Sequence, residues 1–229
     1  MLWVERKADE NSVDSLSRSL SISPALSRLL HLRGFDFSDS ALDFLKPKLA
    51  HLADPFEIPR LREAVLRIIK SIESREGILL VGDYDVDGIT STVLVKKILA
   101  TLGSDPFYVI PRRKDEGYGL TKEILARGLK LGDVKLVIAL DCGTNSFEEA
   151  KILAGKGIDL VVVDHHQAKE ELPEEPIMLN PHLHPDEGEP WRNLCTAGLA
   201  FKLIHGLIKE LRERDCSNAH SVDLKKILP

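Results

Sequence analysis

The 229-residue sequence has little of what would mark a secreted, membrane or disulfide-rich protein. It has three cysteines, Cys142, Cys195 and Cys216, and no C-x-x-C pair, which argues against a disulfide framework and favours reduced thiols. No apolar run is long enough to cross a membrane, and the first residues lack the apolar core of a signal peptide. These absences predict a cytoplasmic protein.

Basic residues are not in excess either. The chain has 31 Lys and Arg against 36 Asp and Glu, a formal net charge of −5. This balance excludes a protein that coats nucleic acid through general positive charge, so any nucleic-acid contact must be local or assisted by bound metal ions. The hydrophobic content of 43% is that of a globular chain with one or two domains.

The apolar pattern changes near residue 76. Residues 1–75 are predicted to form a small helical amino-terminal region. After it, short apolar segments predict strands at 78–81, 107–110, 136–140, 160–163 and 177–179, with helices at about 89–102, 122–131, 147–156 and 197–214. Strands that alternate with helices of this length predict an α/β domain with a parallel sheet over residues 76–229.

An aspartate follows each of three predicted strands. These residues are Asp83, Asp141 and Asp164. Because parallel strands end at one edge of the sheet, and ligands bind at that edge, we expect the three side chains to converge in one crevice. The alternative is that each aspartate caps a separate helix.

The first of these acids begins the run D-Y-D-V-D-G, which holds carboxylates at alternate positions. Two carboxylates about 4 Å apart repel by roughly 4 kcal/mol at an effective dielectric of about 20, so such a run either extends into water or surrounds a cation. The spacing matches the start of a calcium-binding EF-hand loop. However, Leu94 stands where that loop needs a glutamate, and a strand rather than a helix precedes the run, so an EF-hand is excluded.

Oxygen and imidazole donors without thiolates predict Mn²⁺ or Mg²⁺ rather than structural zinc. The candidate ligands are Asp85, Asp87, Asp141 and His165. Carboxylates shared between two ions suit hydrolysis at phosphorus. His166 is a candidate to donate to a phosphate oxygen or to protonate a leaving group, and the alternative is a packing role.

Two further segments permit more than one interpretation. The run P-R-R-K-D-E-G-Y-G-L at 111–120 either binds a phosphate or strand backbone or is a solvated turn; its candidate substrate-binding residues are Arg112, Arg113, Tyr118 and Gly119. The run T-A-G-L-A-F, which begins at Thr196, either presents helix amides to an anion or packs closely against a neighbour, and packing is favoured.

Five motifs together resemble one family of enzymes. They are G-D-Y-D-V-D-G-I-T-S-T, R-R-K-D-E-G-Y-G-L, V-I-A-L-D-C-G, V-V-V-D-H-H and A-G-L-A-F-K-L. In this order they resemble the DHH phosphoesterases and, more closely, the RecJ-type exonucleases, whose amino-terminal region residues 1–75 also resemble. The resemblance implies a DHH-type Rossmann-like domain and Mn²⁺- or Mg²⁺-dependent hydrolysis of single-stranded DNA from the 5′ end in recombination and repair, with DNA-repair proteins as partners.

The resemblance also implies individual roles. The implied metal ligands are Asp85, Asp87, Asp141 and His165, with Asp83 in a supporting or ligating role and Asp141 as the bridge between ions. His166 would contact the scissile phosphate, and Asp164 would orient His165.

The family pattern continues into another motif with a further metal-binding aspartate, which has no counterpart here. We therefore expect the chain to be the amino-terminal part of a RecJ-like protein, with low or no activity alone. Within the same superfamily, an oligoribonuclease, a nucleotide phosphatase or a pyrophosphatase is the alternative. Those relatives tend to carry a histidine just before the D-x-D, whereas residues 79–82 here are L-L-V-G. A non-catalytic DNA-replication scaffold is a further alternative, although the motif acids are intact.

Overall fold

The computed structural model describes residues 4, 6–112, 116, 117, 119–169, 172–184, 189 and 191–227. It contains two compact units, Met1–Leu52 and Ala53–Pro229. None of the helices in these described ranges combines the length and the hydropathy that a membrane span requires.

The first unit is helical, but it is shorter than the helical region predicted over residues 1–75, whose remaining residues belong to the second unit. Its helices are α1 (Glu10–Leu20), α2 (Pro24–His31) and α3 (Ser38–Leu45). Asp9 caps α1, and Ser23 caps α2, where a proline follows as the first helical residue. Leu16, Leu30 and Ala41 form a small core.

The second unit is built on a five-stranded sheet. Its strands are β1 (Gly77–Gly82), β2 (Phe107–Val109), β3 (Val134–Leu140), β4 (Asp159–Val163) and β5 (Ile177–Leu179). They lie in the order β2-β1-β3-β4-β5, and every pair is parallel. The predicted fold class, an α/β domain with a parallel sheet preceded by a helical region, is confirmed.

Helices cover both faces of this sheet. They are α4 (Leu61–Glu73), α5 (Val86–Thr101), α6 (Lys122–Gly128), α7 (Phe147–Gly155), α8 (Thr196–Glu213) and α9 (Ser217–His220). One core joins the sheet to α4, α5 and α8, and the other joins it to α6 and α7. Because both faces are buried, the strands are continuous apolar runs, which is why they were recognisable in the sequence.

The path of the chain creates a crevice between β1 and β3. From β1 the chain adds β2 on one side of the sheet and then returns to add β3 on the other side. Loops that leave the carboxyl ends of such a strand pair turn in opposite directions and open a cleft where ligands bind. The loops after β1 and β3 both begin with aspartates, Asp83 and Asp141.

Candidate functional site

Three aspartates each extend the sheet by one residue. The backbone amide of each donates to the carbonyl of the last residue of the next strand: Asp83 to Leu140 at 3.1 Å, Asp141 to Val163 at 2.9 Å and Asp164 to Leu179 at 3.0 Å. These bonds fix the acids in a row along the carboxyl edge of β1, β3 and β4. The expected convergence of the three loops follows from this ladder.

The loop after β1 is held tightly against the start of α5. Asp85 caps this helix by accepting the amide of Gly88 at 2.9 Å, so α5 begins three residues before its predicted start. A Cβ atom at Gly88 would lie 2.6 Å from the backbone nitrogen and oxygen of Asp83. Only glycine permits this approach, which brings Asp83 and Asp85 onto one short turn.

Asp83, Asp85 and Asp141 form the centre of the site. One carboxylate oxygen from each lies within 4.8 Å of the others. The Asp141 side chain is buried, and its Oδ2 atom has no hydrogen-bond partner. Burial raises the pKa of Asp141 to about 7, and the neighbouring Asp85 and Asp87 raise it further, while a hydrogen bond from Thr196 opposes this. An unpartnered buried oxygen among crowded carboxylates fits a divalent cation.

Asp141 also has an unusual backbone. Its φ angle is 65°, in the left-handed region that non-glycine residues rarely occupy. Strained backbone of this kind persists where the surroundings over-determine it, and it is concentrated at functional sites.

His165 lies beside this centre. Its Nε2 atom is 3.6 Å from Asp141 Oδ1 and 3.7 Å from Asp87 Oδ2. One donor atom from each of Asp141, His165 and His166 lies within 4.8 Å of the others. The structure therefore brings both histidines of the D-H-H run to the buried carboxylate.

Asp87 is bound to the beginning of α8. Its two oxygens accept the backbone amides of Thr196 at 2.8 Å and Ala197 at 2.7 Å. The amides at a helix amino terminus have no partners within the helix and carry partial positive charge, so they favour an anion. The structure therefore shows the interpretation of T-A-G-L-A-F that the sequence favoured less, in which the helix amides bind an anion. The anion is the Asp87 side chain.

Asp164 organises the loop after β4. Its Oδ1 atom accepts hydrogen bonds from the backbone amides of His165 and His166. It also accepts a hydrogen bond from the ring Nδ1 of His166 at 2.7 Å. The resemblance implies that Asp164 orients the ring of His165; in this structure Asp164 accepts the backbone amide of His165, and its ring hydrogen bond is with His166. Because His166 stands two residues after Asp164, its imidazole can turn back to the carboxylate that also accepts the His166 backbone amide.

The pKa values of this pair are shifted in opposite directions. The hydrogen bond to Asp164 raises the pKa of His166 to about 9, although partial burial opposes the shift. Burial alone would raise the pKa of Asp164, but the hydrogen bonds from His166 and Thr144 outweigh it and lower that pKa to about 2. At neutral pH the pair is therefore an imidazolium held by a carboxylate.

Two polar residues of this network were missed in the sequence. Thr144 donates its hydroxyl to Asp164 Oδ2 at 2.7 Å, and Asn180 donates to both the Thr144 hydroxyl and the His166 carbonyl at 2.9 Å. Asn180 directly follows β5. The three acids were identified as polar residues directly after a strand, and the same rule applies to Asn180. Thr144 is further beyond its strand and gave no such signal.

The predicted substrate-binding residues are placed only in part. Gly119 lines a cavity with Asp83, Asp141, Thr144 and His166. Arg112 is exposed on the loop that follows β2, and its backbone amide donates to Glu116 at 2.8 Å. Arg113 and Tyr118 lie outside the described residues.

Comparisons with known proteins agree with this architecture. Residues 77–226 match the DHH family, N-terminal domain. The chain is 38% identical over 211 residues to the single-stranded-DNA-specific exonuclease RecJ of Bacillus subtilis, an alignment that covers 92% of this chain and 27% of the relative. The chain thus spans about a quarter of the length of that relative.

Two solved structures share the fold. RecJ of Thermus thermophilus in complex with Mn²⁺ has a TM-score of 0.70 at 27% identity, with 88% of this chain and 28% of that chain covered. RecJ of the same organism in complex with Mg²⁺ has a TM-score of 0.58 at 25% identity, with 88% and 24% covered.

Proposed function

This chain belongs to the DHH family, and we propose that it forms the metal-dependent active site of a phosphodiesterase that acts on single-stranded DNA. The observation that carries the proposal is the meeting of Asp83, Asp85 and Asp141 within 4.8 Å around a buried oxygen that has no partner. The similarity to the single-stranded-DNA-specific exonuclease RecJ supports single-stranded DNA as the substrate class. Attack from the 5′ end is the direction that the family resemblance implies.

Asp85, Asp87, Asp141 and His165 are the proposed ligands, with Asp83 beside them. Their carboxylate and imidazole donors suit Mn²⁺ or Mg²⁺, the ions bound in the two RecJ complexes of Thermus thermophilus. When bound here, such ions supply a water of lowered pKa and positive charge against the phosphate oxygens. The oxygens of Asp87 that accept the α8 amides retain lone pairs, so the helix contact and a ligand role are compatible.

We assign the phosphate contact to His166 and the orientation of its ring to Asp164. Because Nδ1 of His166 is bound to Asp164, Nε2 is the ring atom left for a substrate. A raised pKa keeps this ring protonated at neutral pH, so Nε2 can donate a charge-assisted hydrogen bond to a phosphate oxygen or a leaving group.

The loop at 111–120 is the proposed contact for the DNA strand. Arg112, Arg113, Tyr118 and Gly119 are its assigned residues. Gly119 supports this assignment because it lines the same cavity as His166, and the Arg112 side chain is exposed to solvent. An arginine that neutralises one phosphate and a tyrosine that stacks on a base are the usual means of holding a single strand.

The wider biological assignments are proposals of the same kind. They comprise a role in DNA recombination and repair, a cytoplasmic location, DNA-repair proteins as partners, and a division into an amino-terminal region at 1–75 and a DHH domain at 76–229. The match to residues 77–226 supports the start of the DHH domain near residue 76, whereas the compact units divide between residues 52 and 53. The biological role, the location and the partners are what the resemblance to the RecJ-type exonucleases implies.

Hydrolysis of defined substrates tests the proposal. The purified chain, supplied with Mn²⁺, is incubated with 5′-phosphorylated single-stranded DNA, its duplex, a short RNA and pyrophosphate. Because low or no activity is expected of this chain alone, we expect only slow release of mononucleotides, from single-stranded DNA and from none of the other substrates, and no release by Asp141→Asn. Equal release by that variant, or release in EDTA, would contradict the metal site. Hydrolysis of only pyrophosphate or short RNA would favour the alternative members of the superfamily.

A further inference from the structure

The amino end of α8 contacts two acids of the proposed metal centre at once. The Thr196 amide donates to Asp87 Oδ2 at 2.8 Å, and the Thr196 hydroxyl donates to Asp141 Oδ1 at 2.7 Å. Thr196 is fully buried, so no water competes for either bond. One residue thus connects the first turn of α8 to the acid that follows β3 and to an acid in the first turn of α5.

The hydroxyl bond distinguishes the two oxygens of Asp141. Oδ1 accepts from Thr196, whereas Oδ2 has no partner. A hydrogen bond to one oxygen of a carboxylate restricts rotation about its last bond, so the other oxygen is held near one direction. For a carboxylate that must contact a cation at about 2.0 to 2.6 Å, this loss of freedom before binding improves affinity.

The hydroxyl is not required to begin the helix. The backbone amides of Thr196 and Ala197 bind Asp87, and Cys195 at the cap position makes no side-chain bond to the helix. A helix start that depends on main-chain groups would tolerate many side chains. The buried hydroxyl therefore needs another explanation, and the acceptor of its hydrogen bond is Asp141.

We propose that Thr196 is a positioning residue of the metal centre, whose hydroxyl fixes the Asp141 carboxylate so that Oδ2 is presented to the cation. This inference rests on the proposed function. It adds to the site a residue that ligates nothing and that lies 55 positions from the acid it orients. Loss of an outer hydrogen bond to a ligand typically weakens metal affinity by about ten- to a hundredfold.

The test compares Mn²⁺ affinities of the whole chain, measured from the loss of the electron paramagnetic resonance signal of free Mn²⁺. Thr196→Val replaces the hydroxyl with a methyl group and keeps both amide bonds to Asp87, whereas Thr196→Ser keeps the hydroxyl. Thr92→Val is the matched control, because Thr92 is buried in α5 and donates its hydroxyl at 2.8 Å to the carbonyl of Gly88 rather than to an acid.

We expect Thr196→Val to bind Mn²⁺ at least about tenfold more weakly than the wild-type chain, and Thr196→Ser and Thr92→Val to bind as the wild-type chain does. Unchanged affinity in Thr196→Val overturns the inference, and so does an equal loss in Thr196→Ser. Circular dichroism in EDTA checks that each variant folds. If Thr196→Val does not fold, Thr196→Ser is compared with the wild-type chain, and a lower Mn²⁺ affinity of the serine variant overturns the inference. A wild-type chain that binds no Mn²⁺ overturns the proposed function and this inference with it.

Discussion

Asp87 accepts the backbone amide of Ala197 at 2.7 Å, although 110 positions separate the two residues. Together with the amide of Thr196, this contact places a carboxylate at the amino terminus of the longest helix described, α8. The side chain that the sequence predicts as a metal ligand therefore also joins the first turns of α5 and α8.

We expect Asp87→Ala to lower the free energy of unfolding of the metal-free chain by about 1–2 kcal/mol, because two helix amides lose their acceptor. Urea denaturation in EDTA measures it. Asp133→Ala, at a carboxylate that is 84% exposed, is the control for loss of a negative charge. If Asp87→Ala were as stable as that control, the contact would not contribute to folding.

The sequence carried enough information for the sheet and for the acids at its edge. Buried parallel strands are apolar throughout, and the residue after each strand is fixed by the ladder, so Asp83, Asp141 and Asp164 were recognisable together. Contacts between distant segments were not recognisable in the sequence. The bonds from Thr196 to Asp87 and Asp141 depend on how α8 packs against the sheet, which periodicity does not determine. Similarly, the choice of His166 over His165 as the ring partner of Asp164 depends on loop geometry.

Asp141 gives a pH dependence of stability with a definite sign. Burial raises its pKa from 3.8 to about 7 in the folded chain. Between these values the folded state binds more protons than the unfolded state, so the free energy of unfolding of the metal-free chain falls as pH rises through this range. Asp141→Asn removes the effect, and we expect it to be more stable than the wild-type chain at pH 8 by roughly 2 kcal/mol.

Urea denaturation in EDTA at pH 5 and pH 8 checks this prediction, and the gain should be confined to the higher pH. A variant that is less stable at both pH values would show that the hydrogen bond from Thr196 outweighs the cost of the buried charge. The same variant should bind no Mn²⁺. Asp141→Asn and Asp87→Ala thus shift stability in opposite directions, which separates a buried charge from a helix cap.

His166 should titrate far above the ordinary range of histidine in the metal-free chain. The hydrogen bond to Asp164 raises its pKa to about 9, so the bond stabilises the fold fully below pH 6.5 and is lost as pH rises through about 9. The chemical shifts of the ring protons report the midpoint, and His166→Gln assigns them by loss of the signal. We expect Asp164→Asn to lower the midpoint; a wild-type midpoint near 6.5 would contradict the pairing.

Gly88 is the position where one added methyl group should disturb the site most. A Cβ atom there would lie 2.6 Å from the backbone of Asp83, which is itself bonded to β3, so neither side can move without loss of a hydrogen bond. We expect Gly88→Ala to lower the free energy of unfolding by about 1–3 kcal/mol.

Gly155→Ala in α7 is the control: its Cβ atom meets nothing within 4 Å, so the alanine should stabilise the helix by up to about 1 kcal/mol. Thermal denaturation of both variants in EDTA measures the difference, and equal stability of the two would mean that the Asp83 turn yields more easily than its contacts indicate.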